Sequence, residues 1–374
     1  MSNLNPTSKK RLHWVDQTKG LAILGIVLFH FFQNYPDRLG LVQILDRNGA
    51  RLGYAAVDIF FVIAGFNTSY TLASLLHSGK IRSFLEMNWW QWLKKRLIRL
   101  YPTYWLAIGL SLLLYYLFSK IGIKSILDFA LIVIGWPGYQ RFKTINPGFW
   151  FFSVILQAYL VTPLIFSISQ SKRLLILILG IVVGLTSKIA CLLFIQDSSI
   201  FWFLLQNNFL GSYFFQLCLG LYWGLTYFEH QSFRKVDIVT SISVFIVGLA
   251  IYSFFIIQKI NILYMIGFDI LFSPLFLLIC YWIFEFLSHY KLPIYTLGIF
   301  SIMGVYSYQI YLIHQPLYFV LLPYLVNQID FNPYLRLLLS IMTTTSLLTL
   351  YVIAFIKLES CLGKLMEKMP KHSV

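Results

Sequence analysis

The sequence is dominated by apolar runs, most of them about twenty residues long. A run of this length spans the hydrocarbon core of a bilayer when it folds as an α-helix. In lipid, only helices and closed barrels satisfy every backbone polar group, and barrel strands are about half as long. Eleven apolar segments follow one another along the chain: 20–34, 54–77, 100–119, 125–137, 149–169, 173–196, 208–228, 236–257, 263–287, 296–322 and 334–357. We therefore predict an all-α, polytopic bundle of transmembrane helices.

The fourth segment, 125–137, is the exception, because its 13 residues are too few to span a bilayer unaided. Basic residues in short loops favour the cytoplasm, so the distribution of Lys and Arg shows whether this segment crosses the bilayer or not. If the segment does not cross and the N-terminus is cytoplasmic, 19 of the 29 Lys and Arg residues lie inside and nine outside. If it crosses, the division is 14 to 14. The asymmetry predicts ten spans with both termini cytoplasmic, and 125–137 as a re-entrant or interfacial segment.

Charge and cysteine usage argue against several other classes of protein. Charged residues make up 11% of the chain, whereas a soluble domain has about 25%. The net charge of +15 comes from basic residues between apolar runs, which is typical of membrane anchors rather than nucleic-acid binding. No CxxC pair occurs among the four cysteines, so neither a disulfide framework nor a zinc site is predicted.

The chain divides into two tails and one membrane domain. The first apolar run lacks a small-residue cleavage site after it, which indicates a retained span and not a signal peptide. We assign 1–15 as a basic cytoplasmic N-terminal tail, 16–360 as the membrane domain, and 361–374 as a cytoplasmic C-terminal tail.

Two ionisable residues stand eleven positions apart in the first segment. Lys19 opens the stretch KGLAILGIVLFH and His30 closes it. Eleven helical residues make three turns plus about 20°, so the two side chains share a face, roughly 16 Å apart along the axis. Lys19 then lies near one membrane surface, and His30 near the middle of the bilayer or beyond. An ionisable group at that depth indicates a functional site; the alternative is a histidine hydrogen-bonded between packed helices.

Asp58 and an arginine pair are further candidates. Asp58 precedes an apolar stretch near the outer end of its span, where a carboxylate must pair or stay protonated. His30 is the natural partner of Asp58 at that depth. Equally, Asp58 is compatible with the role of a helix cap at the membrane interface. Arg96 and Arg99 share a helix face and suit phosphate, whereas basic residues at a span start commonly serve only as anchors.

Later segments add aromatic residues and a second histidine. Trp150, Gln157 and Tyr159 stand at the outer end of the fifth segment, where Trp and Tyr also commonly form an interfacial belt. His314 lies in the middle of segment 296–322 with Pro316 just after it. A proline there kinks the helix and frees a carbonyl. As a second ionisable group at membrane depth, this histidine again indicates function.

Taken in order, these stretches resemble the acyltransferase-3 family of integral membrane O-acyltransferases. That family has a basic residue eleven positions before a histidine, then VDxFFVxSGF-like, RxxR, WFLSxxxQxY and YLWHxP-like stretches, and a last span ending near a Glu. The counterparts here are Lys19 with His30, VDIFFVIAGF at 57–66, Arg96 with Arg99, WFFSVILQAY at 150–159, YLIHQP at 311–316, and Glu359. Ala64 replaces the family's Ser, and an acidic residue frequent in the fifth-segment motif is missing.

The resemblance implies transfer of an acyl group, commonly acetyl from acetyl-CoA, to a carbohydrate hydroxyl outside the cytoplasmic membrane. His30 would act as general base or carry the acyl group, and Asp58 would orient it. The acyl-CoA donor would contact Lys19, Arg96 and Arg99. The carbohydrate acceptor would contact Trp150, Gln157, Tyr159, Tyr311 and His314. We expect membrane lipids as further partners, and neither a metal nor nucleic acid.

Two other functions are compatible with the sequence. The chain is compatible with a transporter or exporter of a surface polysaccharide or a lipid-linked glycan, with the histidines and Asp58 along its pathway. It is also compatible with a degenerate acyltransferase that serves only as a scaffold, given the missing acidic residue. Acyl transfer that depends on added acyl-CoA distinguishes the enzyme from both.

Overall fold

The protein is a bundle of helices. The computed structural model describes residues 11–118, 125–170, 172–194, 208–257, 269–290 and 294–368, and all regular structure within these ranges is helical. The α-helices are α1 (His13–Asn34), α2 (Gly40–His77), α3 (Trp89–Leu117), α4 (Ile126–Val133), α5 (Tyr139–Phe142), α6 (Trp150–Ile168), α7 (Arg173–Leu193), α8 (Phe214–His230), α9 (Lys235–Ile257), α10 (Asp269–His289), α11 (Ile294–Val305), α12 (Ser307–Gln328) and α13 (Pro333–Lys368). Short 3-10 helices, Pro147–Phe149 and Leu210–Tyr213, precede α6 and α8. The predicted all-α class is confirmed.

Nine of the described helices are long and apolar enough to cross a bilayer. They are α1, α2, α3, α6, α7, α9, α10, α12 and α13. Helix α8 has 17 residues, nearly all of them buried, and a helix of that length still covers about 25 Å. The chain is therefore a multi-pass membrane protein, and its helices agree with the predicted number of about ten passages.

The short fourth segment forms α4, whose eight residues cover only about 12 Å and so cannot cross. Its last carbonyls are instead bound by aromatic side chains of α3. Tyr104 Oη donates to Ile132 O at 2.6 Å and Trp105 Nε1 to Val133 O at 2.9 Å. Because these donors lie more than fifteen residues into α3, α4 ends deep beside a spanning helix, in agreement with a re-entrant segment.

One predicted segment is broken in the structure. Segment 296–322 was predicted as a single run, but α11 ends at Val305 and α12 begins at Ser307. Tyr306 between them leaves helical geometry, with φ −98° and ψ 15°. The Ser307 hydroxyl donates to the Gly304 carbonyl at 2.9 Å, and such a local bond competes with regular helical bonding.

Two helices extend beyond their predicted apolar runs. Helix α2 begins at Gly40, 14 residues before the predicted segment. Val42 in its first turn is fully buried in an apolar cluster with Phe31 and Tyr318, and side-chain bonds hold the turns around it. Gln43 Nε2 donates to Arg38 O at 2.8 Å, and Arg38 pairs with Asp46 at 3.0 Å. Helix α13 continues to Lys368, so the described part of the predicted C-terminal tail is helical.

Glycines allow the helices that carry the site to touch backbone to backbone. A Cβ on Gly20 of α1 would lie 2.0 Å from the Phe300 carbonyl oxygen, and one on Gly304 would lie 1.7 Å from that of Asp16. Small residues of this kind are the usual means of close helix approach in membranes. His30 lies ten residues beyond Gly20 in α1, and His314 lies ten residues beyond Gly304, across the break at Tyr306. The contact between α1 and α11 therefore leads into the part of α12 that carries His314.

Candidate active site

The two histidines predicted at membrane depth meet in the structure. His30 lies four residues before the end of α1, and His314 lies two turns into α12. His30 Nδ1 and His314 Nε2 are 2.7 Å apart, and the rings stack with their centroids 5.0 Å apart. His314 is fully buried, at 0% exposure, whereas His30 is partly exposed. A hydrogen bond thus joins two imidazoles, one of which a substrate can reach.

Hydrogen bonding also determines where the protons of this pair reside. His314 Nδ1 lies 3.0 Å from the carbonyl oxygen of Ile310, which can only accept, so this nitrogen carries a proton. In a neutral His314, Nε2 is then an acceptor. The proton between the rings therefore belongs to His30 Nδ1, and the lone pair of His30 is on Nε2. That nitrogen is the one available to take a proton from a substrate.

Asp58 lies in a different network from the one predicted. Its carboxylate accepts from Gln216 Nε2 at 2.9 Å and from Ser273 Oγ at 3.3 Å, which joins α2 to α8 and α10. His30 Nδ1 is bonded to His314 instead. The structure thus gives His30 Nδ1 an imidazole partner where a carboxylate was expected, and a role of Asp58 in the chemistry stays a prediction.

Pro316 frees a carbonyl, as predicted, and Asn146 binds it. A proline removes the bond to the carbonyl four residues earlier, which is that of Leu312. Asn146 Nδ2 donates to Leu312 O at 2.6 Å, while Asn146 Oδ1 accepts from Gly148 N at 2.9 Å. Asn146 is fully buried. One amide therefore fixes the segment before α6 to the turn of α12 that carries His314.

Aromatic rings continue from the histidine pair towards the start of α6. Ring centroids are 5.8 Å apart for His314 and Tyr311, 5.0 Å for Tyr311 and Phe151, and 6.0 Å for Phe151 and Trp150. Trp150 also stacks on Tyr213 at 5.6 Å. Three of the predicted acceptor residues, Trp150, Tyr311 and His314, thus belong to one continuous wall.

The other two predicted acceptor residues do not join this wall. Gln157 Nε2 donates to Asn208 O at 2.9 Å, and Gln157 Oε1 accepts from Leu210 N at 3.0 Å. Both ends of its amide hold the backbone before α8, and its contact with the acceptor stays a prediction. Tyr159 lies deeper in α6, where its ring is 5.1 Å from the guanidinium carbon of Arg96.

A comparison with protein families shows to which family the chain belongs. A family model described as an acyltransferase domain matches residues 12–356, nearly the whole chain, including both histidines. The chain belongs to the acyltransferase-3 family. Comparisons with curated proteins and with solved structures gave no match.

The acyltransferase holds Arg96 against two aromatic rings. Its guanidinium carbon is 4.9 Å from the centre of the Trp92 ring and 5.1 Å from that of Tyr159. The two rings are 5.7 Å apart and nearly perpendicular, so they form a corner that positions the guanidinium by cation–π contact. Arg96 and Arg99 lie within α3, so the predicted shared helix face is confirmed; their predicted contact with the donor stays a prediction.

The remaining basic candidate is paired within its own helix. Lys19 Nζ lies 2.7 Å from Asp16, which also binds Arg11. Glu359, at the end of the family pattern, is bonded by the Thr103 hydroxyl and by Gln309 Nε2, the latter at 3.1 Å. These bonds join α3, α12 and α13 at the start of α12, before His314. Donor binding by Lys19 stays a prediction.

Two residues beside the histidine pair are not predicted from the sequence. Asn146 supplies the donor that the carbonyl freed at Leu312 requires. Gln315 occupies the variable position between His314 and Pro316 of the family pattern. The signal that identifies both is structural, since each is buried and contacts an element distant in sequence.

We predict that His314 acts as a positioning residue. His314→Leu removes the acceptor for His30 Nδ1–H and should lower kcat about 10- to 100-fold, the usual loss when an orienting partner of a functional imidazole is removed. His314→Gln retains an amide oxygen that can accept the same proton and should recover part of that loss. The measurement is a reconstituted transfer assay, in which equal activity of wild type and both variants would contradict this role. His289→Leu, at an exposed position in α10, is the control.

Proposed function

We propose that this membrane acyltransferase moves an acyl group, in the simplest case acetyl, from acyl-CoA to a hydroxyl of a cell-envelope carbohydrate. The proposal rests on one observation, the hydrogen-bonded pair of His30 and His314 at membrane depth. Acyl transfer to a hydroxyl needs a general base, and this pair provides an imidazole nitrogen whose lone pair is oriented by the protein.

The reaction we propose uses His30 Nε2 as the base. The acceptor hydroxyl gives its proton to Nε2 as its oxygen attacks the thioester carbonyl. When the tetrahedral intermediate collapses, the carbon–sulfur bond breaks, and the thiolate of CoA takes the proton from His30 to leave as the free thiol. The ester oxygen keeps the new bond to the acyl carbon. His314 Nε2 accepts the Nδ1–H bond throughout and stabilises the transient imidazolium.

The donor side of the proposal is supported by the position of the arginines. Tyr308, six residues before His314, donates from its hydroxyl to Leu100 O at 3.3 Å, one residue after Arg99. Six helical residues cover about 9 Å, a distance that the flexible pantetheine arm of an acyl-CoA can bridge. The phosphates would bind Arg96 and Arg99, and the thioester would reach His30.

The orientation we propose follows the charge asymmetry. With 19 basic residues on one side and nine on the other, the side that carries Arg96 and Arg99 faces the cytoplasm, where acyl-CoA is available. Both termini are then cytoplasmic, the protein lies in the cytoplasmic membrane, and the rings from Tyr311 to Trp150 lie towards the envelope.

We predict that His30→Ala abolishes transfer while the protein still inserts and folds. Loss of a general base lowers the rate by about 10² to 10⁴. The measurement is acyl transfer from radiolabelled acetyl-CoA to envelope glycans in membranes that contain wild type, His30→Ala or the control His289→Ala. Near-normal transfer by a well-expressed His30→Ala protein would remove His30 from the chemistry.

Arg99→Lys should raise the KM for acyl-CoA and leave kcat and insertion unchanged. A membrane anchor needs only positive charge, whereas a phosphate clamp needs the planar guanidinium, for which lysine supplies a point charge. Arg82→Lys, in the exposed stretch before α3, is the matched control. An unchanged KM in Arg99→Lys would assign this arginine to topology and place the donor phosphates elsewhere.

A further inference from the structure

Gln315 is a buried amide with an atom that lacks a partner. Gln315 is only 5% exposed. Its Oε1 is not accessible to solvent and makes no hydrogen bond to any residue that the structure describes. A buried polar group left without a partner destabilises the fold. Such a group therefore points to a ligand that supplies the missing bond.

The position of Gln315 places this atom on the wall of the active site. Tyr311 and Gln315 are one turn apart in α12, so they share a face, and His314 precedes Gln315 in the chain. A Cβ on Gly148 would lie 2.9 Å from Gln315 Oε1 and 3.5 Å from Tyr311 Cε1. The absence of a side chain at Gly148 therefore leaves room for the amide, beside a ring that contacts the catalytic pair.

An amide oxygen in this setting selects a neutral hydrogen-bond donor, because a buried cation would need a carboxylate for compensation. Hydroxyl groups are such donors, and a carbohydrate carries several at fixed positions around the one that reacts. The rings of Tyr311 and Phe151, 5.0 Å apart, supply the apolar surface that commonly accompanies a few directed polar groups in a binding site.

We propose that Gln315 Oε1 accepts a hydrogen bond from a second hydroxyl of the acceptor and so determines which hydroxyl faces His30. This inference rests on the proposed function and specifies its acceptor as a compound with several hydroxyl groups.

The test measures binding and needs no acyl donor. Purified protein in nanodiscs is titrated with methyl glucoside, methyl galactoside, methyl mannoside and their monodeoxy analogues, with saturation-transfer NMR as the readout. Wild type should bind one of the parent glycosides and discriminate against one of its deoxy analogues by about tenfold, the usual effect of a single hydrogen bond. In Gln315→Met, which keeps the volume and removes the amide, this discrimination should vanish.

Thermal unfolding provides the second readout. Gln315→Met should not lower the unfolding temperature, because the amide oxygen has no bond to lose, and Gln328→Met at the exposed end of α12 is the control. Loss of stability together with unchanged discrimination would show that the amide is structural and would overturn the proposal, as would the absence of binding by every glycoside. Selective binding without any acyl transfer would instead overturn the proposed reaction alone.

Discussion

The absence of water from the bilayer interior is the constraint on which the structure depends. A polar group at membrane depth must find its partner within the protein. The carbonyls at the end of α4 are bound by tyrosine and tryptophan side chains of α3. The carbonyl freed by Pro316 is bound by Asn146. Each of these bonds satisfies a backbone group and also fixes two elements relative to each other, so the same constraint produces the geometry of the site.

In the proposed reaction, the same constraint orients the histidine pair. His314 is bonded at both ring nitrogens, to Ile310 O and to His30. His30 is bonded at Nδ1 and lies at the edge of the bundle interior, partly exposed. An imidazole that is held by one nitrogen keeps the other in a defined direction, which is what a general base requires. The close crossing of α1 and α11 at Gly20 and Gly304 immediately precedes α12 and brings its first turns to α1, where this bond forms.

Much of the fold followed from the sequence because long apolar runs leave little choice in a bilayer. The spacing of Lys19 and His30, and the depth of His314, likewise identified the helices whose histidines meet. The partner of His30 did not follow, because only the packing of α1 against α12 brings His314 beside it. The bonds of Gln157 could not be predicted either, since the backbone at Asn208 and Leu210 that uses its amide is far away in sequence. The start of α2 was missed because its apolar residues are followed by Asp46, Arg47 and Asn48, and the break at Tyr306 because it lies within an apolar run.

The role of His30 as a general base depends on its tautomer, which can be measured. Nitrogen-15 solid-state NMR on protein labelled at its seven histidines, with the His30 signals assigned by their loss in His30→Ala, reports which ring nitrogen carries the proton. We expect a protonated Nδ1 coupled to His314 and an unprotonated Nε2. A proton on His30 Nε2, with Nδ1 bare, would rule out this role, because Nε2 would have no lone pair with which to activate a hydroxyl.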